Sequence, residues 1–326
     1  MIRFHIPLQP RNLPEQMVLG DAVMLTGSCF TEHMAARFRQ YRFRVLDNPN
    51  GILFNPVSIA RSLDRAMEGL PYEKSDLFEH DGLWAHWDFH SRWSDPSADI
   101  ACRQMNESVR EAGRFMSKAD WLMITLGTAW VFERPDRGIV ANCHKMPAAG
   151  FSRRLLRSEE IVGVLQPVLQ KLRSAHPKLR VILTVSPVRH LRDGFVENNR
   201  SKASLITAVH DLLEVVPGTQ YFPAYELIID DLRDHRFYAE DLVHPNYQAT
   251  AYVWEKFAEA AISGSSREAM KEIDKLQAAL QHRPLHPHSE AHAAFRQKHL
   301  EMAKSVAQRF PALDFTHEIE YFGRRG

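Results

Sequence analysis

The chain reads as an α/β protein built on a central parallel sheet, and three observations predict it. Short apolar runs alternate with amphipathic segments as far as residue 263, the pattern of strands joined by crossover helices. The inner runs Met123–Leu126 and Val181–Val185 are largely apolar at successive positions, as strands covered on both faces must be. Most of the runs also end in a polar or glycine-bearing cluster, and a helical pattern follows.

Five strands are expected: Val23–Ser28, Phe43–Asp47, Trp121–Gly127, Arg180–Ser186 and Gln220–Tyr225. The fifth carries Pro223, whose missing N–H suits an edge. Helices are expected near 30–41, 56–69, 99–117, 158–175, 197–214 and 246–263. Two stretches depart from the alternation. Residues 75–95 mix aromatic and polar positions and read as a hairpin or lid. Pro135-Asp136-Arg137-Gly138 is a turn signal between Val131-Phe132 and Ile139-Val140, which predicts a second hairpin. Gly264-Ser265-Ser266 reads as a break. Beyond it two charged helices, Arg267–Gln281 and Glu290–Arg309, flank a Pro/His-rich link. The division is therefore residues 1–263 as the α/β domain and 264–326 as a helical extension, a candidate contact for a homo-oligomer.

Charge narrows the function. Lys plus Arg number 41 and Asp plus Glu 40, so no global field draws in nucleic acid or a membrane surface. Three cysteines, Cys29, Cys102 and Cys143, sit at no metal-like spacing and suit a reducing compartment. The first residues lack the apolar core of a signal peptide, and no run approaches a membrane span. A cytoplasmic location is expected.

Chemistry concentrates at the strand ends, where ligands bind in open α/β sheets. Ser28, in Gly27-Ser28-Cys29-Phe30, stands where the first strand runs into a helix. There its hydroxyl lies near unpaired backbone N–H groups that can stabilise an oxyanion. Asp241 and His244 are three residues apart in a turn, and can supply a general base and the carboxylate that orients it. Arg189, His190, Arg200 and Lys202 are placed at the pocket mouth, where they can meet an anionic group. His86 and His90 have a metal-like i,i+4 spacing, but on a strand they lie about 13 Å apart. No metal and no cofactor is expected. The Trp84/Trp87/Trp93 cluster reads as the apolar base of a lid.

The block Gly27-Ser28-Cys29-Phe30, with Ala35 in the following helix, resembles the signature of the GSCFA family. Asn142-Cys143-His144-Lys145, Ser186-Pro187-Val188-Arg189, Glu197-Asn198 and Ser201-Lys202 are further matches. That family is similar to the SGNH (GDSL-type) hydrolases. The resemblance implies a flavodoxin-like three-layer sandwich with Ser28 as nucleophile, His244 as base and Asp241 orienting it. It implies an oxyanion hole made from the N–H groups of Ser28 and Gly51. Where the superfamily carries Gly-x-Asn, this chain has Gly127-Thr128-Ala129, so a donor worth about 2.7–4 kcal/mol is missing. Thr128 or Asn142 is expected to replace it, and His144, Lys145, Arg189 and Lys202 to bind substrate. The expected activity is hydrolysis or transfer of an acyl group on a small molecule or glycan. The alternative is a ligand-binding protein that keeps the fold without turnover.

Overall fold

Strands with apolar side chains on both faces must be covered on both faces, and the centre of the molecule follows from that. The computed structural model describes residues 5–324. In chain order its elements are β1 (Ala22–Gly27), α1 (Phe30–Gln40), β2 (Arg44–Asp47), α2 (Pro56–Glu68), β3 (Phe78–His80) and β4 (Leu83–Ala85). Then come α3 (Ala98–Met116), β5 (Trp121–Leu126), β6 (Trp130–Arg134), β7 (Gly138–Val140), β8 (Ser152–Leu155), α4 (Ser158–Ala175), β9 (Arg180–Val185) and α5 (Gly194–Val215). The chain closes with β10 (Thr219–Tyr221), the single turn α6 (Ala224–Glu226), α7 (Tyr247–Ala261), α8 (Gly264–Gln281), α9 (Glu290–Arg309) and α10 (Thr316–Gly323).

Five strands form one parallel sheet in the order β2-β1-β5-β9-β10. Every residue of β1 and β5 is buried. By sheet rank the order is 2-1-3-4-5, the flavodoxin-like winding, whose switch point lies between the first and third strands. Here those are β1 and β5, so Ser28 stands at the switch point.

One face of the sheet is covered by α1 and α7, through Met34, Phe38, Val253 and Phe257. The other carries α2, α4 and α5, through Leu63, Leu165 and Leu205. Helix ends follow local chemistry. Asn55 caps α2 by accepting the Ser58 N–H at 2.8 Å, Pro56 opens the helix, and Gly69 closes it at φ 65°.

Several expectations are corrected. Pro223 lies outside the fifth strand, which ends at Tyr221; the chain turns helical from Ala224. Gly264-Ser265-Ser266 is no break but the first turn of α8, capped by the Ser263 hydroxyl. The C-terminal helices join the core of the α1/α7 face: Ile273, Leu276, Val306 and Phe322 belong to the same apolar cluster as Phe38 and Phe257. The first hairpin is β3–β4, turned at Asp81-Gly82 with both residues at positive φ, a type I′ signature. The second gains a strand that the sequence does not announce. β8, Ser-Arg-Arg-Leu, pairs with β6 to make a three-stranded sheet. Among the described residues no helix is long and apolar enough to cross a membrane.

Two residues fasten the strand ends that carry the site. Gly27 has φ 138°, and a Cβ there would lie 2.1 Å from the Thr125 carbonyl oxygen. Only glycine lets β1 close against β5 at this point. The Lys202 side chain, fully buried, donates to the carbonyls of Gly127 at 2.7 Å and Ser186 at 2.6 Å. It therefore ties the ends of β5 and β9 together.

Gly27→Ala should cost about 3 kcal/mol or more of stability, read by urea unfolding; a loss below about 1 kcal/mol would show that the two strands part easily. Lys202 gives a pH test. Burial lowers its ammonium to about 7, against about 10.4 for an unfolded lysine. A neutral amine still has two N–H groups, one for each carbonyl. Between those values the unfolded chain binds the extra proton, so native stability rises with pH across that window. Relative to Lys202→Met, the parent should gain stability between pH 7 and about pH 9.5. A difference independent of pH would mean that the ammonium stays charged in the fold.

Candidate active site

Ser28 follows β1 directly, and its hydroxyl is fully buried with no hydrogen-bond partner among the described residues. It does not cap α1: Cys29 occupies that position, and no side chain caps the helix. The neighbouring Cys29 thiol is pushed up by burial, which makes it a poor thiolate. The hydroxyls of Thr26 in β1, Thr31 in α1 and Thr125 in β5 are likewise buried without a partner; that of Ser28 is the one that follows the end of β1 at the switch point.

The turn after β10 is built to present an imidazole. Leu242 takes φ 56°, a left-handed conformation that costs a branched residue energy. It bends the chain so that Asp241 Oδ1 accepts the N–H groups of Val243 at 2.9 Å and His244 at 3.0 Å. Asp241 Oδ2 then lies 2.6 Å from His244 Nδ1. These bonds, led by that from the His244 N–H, lower the Asp241 carboxyl to about 2. The carboxylate is ionised at neutral pH and holds Nδ1 as the donor, which leaves Nε2 to accept a proton. The loop is anchored behind the pair. Ala239 N–H donates to the His244 carbonyl at 2.7 Å, and Asn246 caps α7 while donating to the Arg236 carbonyl at 2.7 Å. The turn lies beside both the β9 loop and α1: the Val243 carbonyl accepts the Arg189 N–H at 3.2 Å, and the Arg37 guanidinium of α1 lies 5.4 Å from the centre of the Tyr247 ring.

The expected oxyanion donors are corrected. Ser28 N–H donates to the Thr125 carbonyl at 3.1 Å, and Gly51 N–H to the Asn48 carbonyl at 2.7 Å. Both amides are taken by the backbone that shapes the strand ends. The Thr128 hydroxyl is engaged as well, 3.0 Å from Ser201 Oγ and accepting from Trp130 N–H at 3.1 Å. Asn142 uses Oδ1 to accept the His144 N–H at 2.8 Å; among the described residues its amide nitrogen has no protein acceptor, and the residue lines the main cleft. A donor that the sequence reading passed over is Asn48. Its Oδ1 accepts the Gly27 N–H at 2.9 Å, and its Nδ2 is buried without a partner. In the sequence it is hidden in Asn48-Pro49-Asn50-Gly51, which reads as a turn and nothing more.

The cleft, about 520 Å³, opens between the β6–β7–β8 sheet, the β9 loop and the turn before His244. Phe54, Trp130 and Phe132 supply aromatic wall; Thr128, Arg189 and Val243 also line it. Neither Ser28 nor His244 does; the turn that carries His244 reaches the cleft through Val243. Of the expected substrate-binding residues, Arg189 alone reaches the cleft. Lys202 is the buried cross-tie between strands. His144 is buried and bonds the His86 carbonyl at 3.0 Å, with its ring edge-on to Phe78 and Trp87, so it joins the two lid hairpins. Lys145 is exposed and outside the cleft. His190 lines the cleft and Arg200 pairs with Glu197. His86 and His90 each accept a backbone N–H at Nδ1, from Asp88 and Arg92 respectively, and burial lowers the His86 imidazole to about 4.

The sequence model of the GSCFA family matches residues 22–257, and that of a GSCFA domain protein C-terminal domain matches residues 273–325. No curated protein sequence matches. Solved structures similar to this chain include a serine-to-alanine mutant of an acetyl esterase with acetate ion, at 12% identity and TM-score 0.36, covering 80% of this chain and 100% of that one. A carbohydrate esterase family 3 protein from Talaromyces cellulolyticus gives 11% and 0.35, covering 79% and 99%. A protein named as a GDSL-like lipase, from Parabacteroides merdae, gives 16% and 0.40, covering 76% and 98%. With a flavodoxin-like sheet, the Gly27-Ser28-Cys29-Phe30 block at its switch point and a family match over most of its length, this chain belongs to the GSCFA family.

Proposed function

We propose that the protein is a serine-dependent acyl-ester hydrolase acting on an O-acylated small molecule or glycan. The observation that carries this reading is the Asp241–His244 pair, 2.6 Å apart. An ionised carboxylate there fixes the imidazole tautomer, on a loop next to the helix that Ser28 begins. His244 Nε2 takes the Ser28 proton as Oγ attacks the ester carbonyl; His244 then protonates the leaving alcohol. Water, activated by the same imidazole, releases the acid and restores Ser28. An acceptor hydroxyl in place of water would make the reaction a transfer. Asn48 Nδ2 is the oxyanion donor in this scheme, held beside Gly27-Ser28 by its own Oδ1. The Ser28 hydroxyl has no solvent-exposed surface, so the acyl group reaches it only after neighbouring side chains move aside.

A second reading, a ligand-binding protein without turnover, is favoured by one observation: the Ser28 and Gly51 amides are both engaged by carbonyls. The two readings part on covalent chemistry. A fluorophosphonate probe should label the parent and not Ser28→Ala, and His244→Ala should label at least about a thousandfold more slowly. Ligand binding with no label in the parent, and no hydrolysis across a panel of acyl esters, would leave the second reading standing. Asn48→Asp keeps the acceptor for Gly27 N–H but removes the donor. It should lower kcat by about 10²–10³-fold with KM little changed; an unchanged kcat would remove Asn48 from the scheme.

A further inference from the structure

The cleft carries positive charge that the fold compensates only in part. Arg153, Arg189 and Arg192 all line it, and no Asp or Glu does. Arg153 pairs with Asp193. Among the described residues Arg189 and Arg192 have no carboxylate within ion-pair distance, so three guanidiniums stand against one carboxylate. Two of them share a ring: the Arg153 and Arg192 guanidiniums lie 5.0 Å and 5.1 Å from the centre of the Phe132 ring, while that of Arg189 lies 4.0 Å from the centre of the Tyr238 ring. Like charges this close repel each other, most strongly where apolar walls keep water out. Two nitrogens in the cleft wall are also buried without a partner, Arg153 Nε and His190 Nε2. Burial lowers the His190 imidazole to about 3, so it is neutral and can offer Nε2–H to an acceptor. A buried donor without an acceptor is costly, and here two of them line the same cavity as the unpaired arginines.

We propose that the cleft selects acyl esters bearing a phosphate or carboxylate group, which Arg189 and Arg192 bind against the aromatic wall of Phe54, Trp130 and Phe132. That the bound molecule is an ester rests on the hydrolase reading; the anion site does not. Guanidinium suits either oxyanion, because its planar fork gives paired N–H donors. Arg189 is also tied to the dyad by its backbone, through the Val243 carbonyl. An anion held there orients the rest of the substrate toward the loop that carries His244.

The test uses full-length Ser28→Ala protein, so that binding is read without turnover. Phenyl phosphate, benzoate and uncharged benzyl alcohol are titrated by calorimetry. Both anions should bind at least about tenfold more tightly than the alcohol. Arg189→Gln combined with Arg192→Gln should abolish that preference with little change for the alcohol. Asp193→Asn, which removes the one counter-charge, should tighten anion binding severalfold. It keeps the test decisive if Arg189→Gln fails to fold. Equal affinity for the alcohol and the anions, or anion binding unaltered by these substitutions, overturns the proposal. Arginine-dependent anion binding in a protein whose parent takes no fluorophosphonate label would instead retain the anion site and remove the acyl chemistry.

Discussion

The close approach of β1 to β5 at Gly27 is the constraint on which the rest of the site depends. There is no room for a Cβ between that residue and the Thr125 carbonyl, and the backbone adopts a φ open only to glycine. Once the strands meet this way, the next N–H, that of Ser28, completes the ladder to Thr125, and the chain turns into α1. The Gly27 N–H is then presented to the Asn48 side chain and the Gly27 carbonyl to the Leu53 N–H at 2.9 Å. In this way the loop after β2 is laced over the end of β1. The hydroxyl of Ser28 is fixed in place by backbone geometry, without help from a side chain.

The second half of the site is built by different means. The Asp241–His244 turn lies far from β1 in sequence and holds its form through its own side chain. One carboxylate oxygen gathers two backbone N–H groups and the other meets the imidazole. The strained Leu242 backbone is the cost of that shape, and the Asn246 cap on α7 secures it from behind. Such a turn needs little from the core. Its place relative to Ser28 depends on the sheet, because the strand order puts the β9 and β10 loops on the same edge as the ends of β1 and β5.

Polar groups that look catalytic in a linear reading are often needed by the fold. Lys202 ties two strand ends, His144 joins two hairpins, the Ser28 amide completes the ladder to β5 and the Gly51 amide closes a turn. Each is a donor that burial obliges to find an acceptor, and the nearest carbonyl provides it. Among the buried polar atoms left without a partner, four bear on the site: the Ser28 hydroxyl, the Asn48 amide, and the cleft-lining nitrogens of His190 and Arg153.

The sequence by itself determined the alternation of strands and helices, because buried strands and amphipathic helices have periods that show in one dimension. It determined the Asp241–His244 pair for a related reason: both groups lie within one turn, where spacing alone sets geometry. β8 was not legible, since Ser-Arg-Arg-Leu is a strand only because β6 offers it an edge. Nor was the docking of the C-terminal helices, whose few apolar residues gain meaning only against Phe38 and Phe257. Which amides and hydroxyls are engaged and which are left unpaired was decided by tertiary structure alone. Hydrogen-bond acceptors are supplied by whatever chain packs nearby, and nothing in a residue's own neighbourhood in sequence records that.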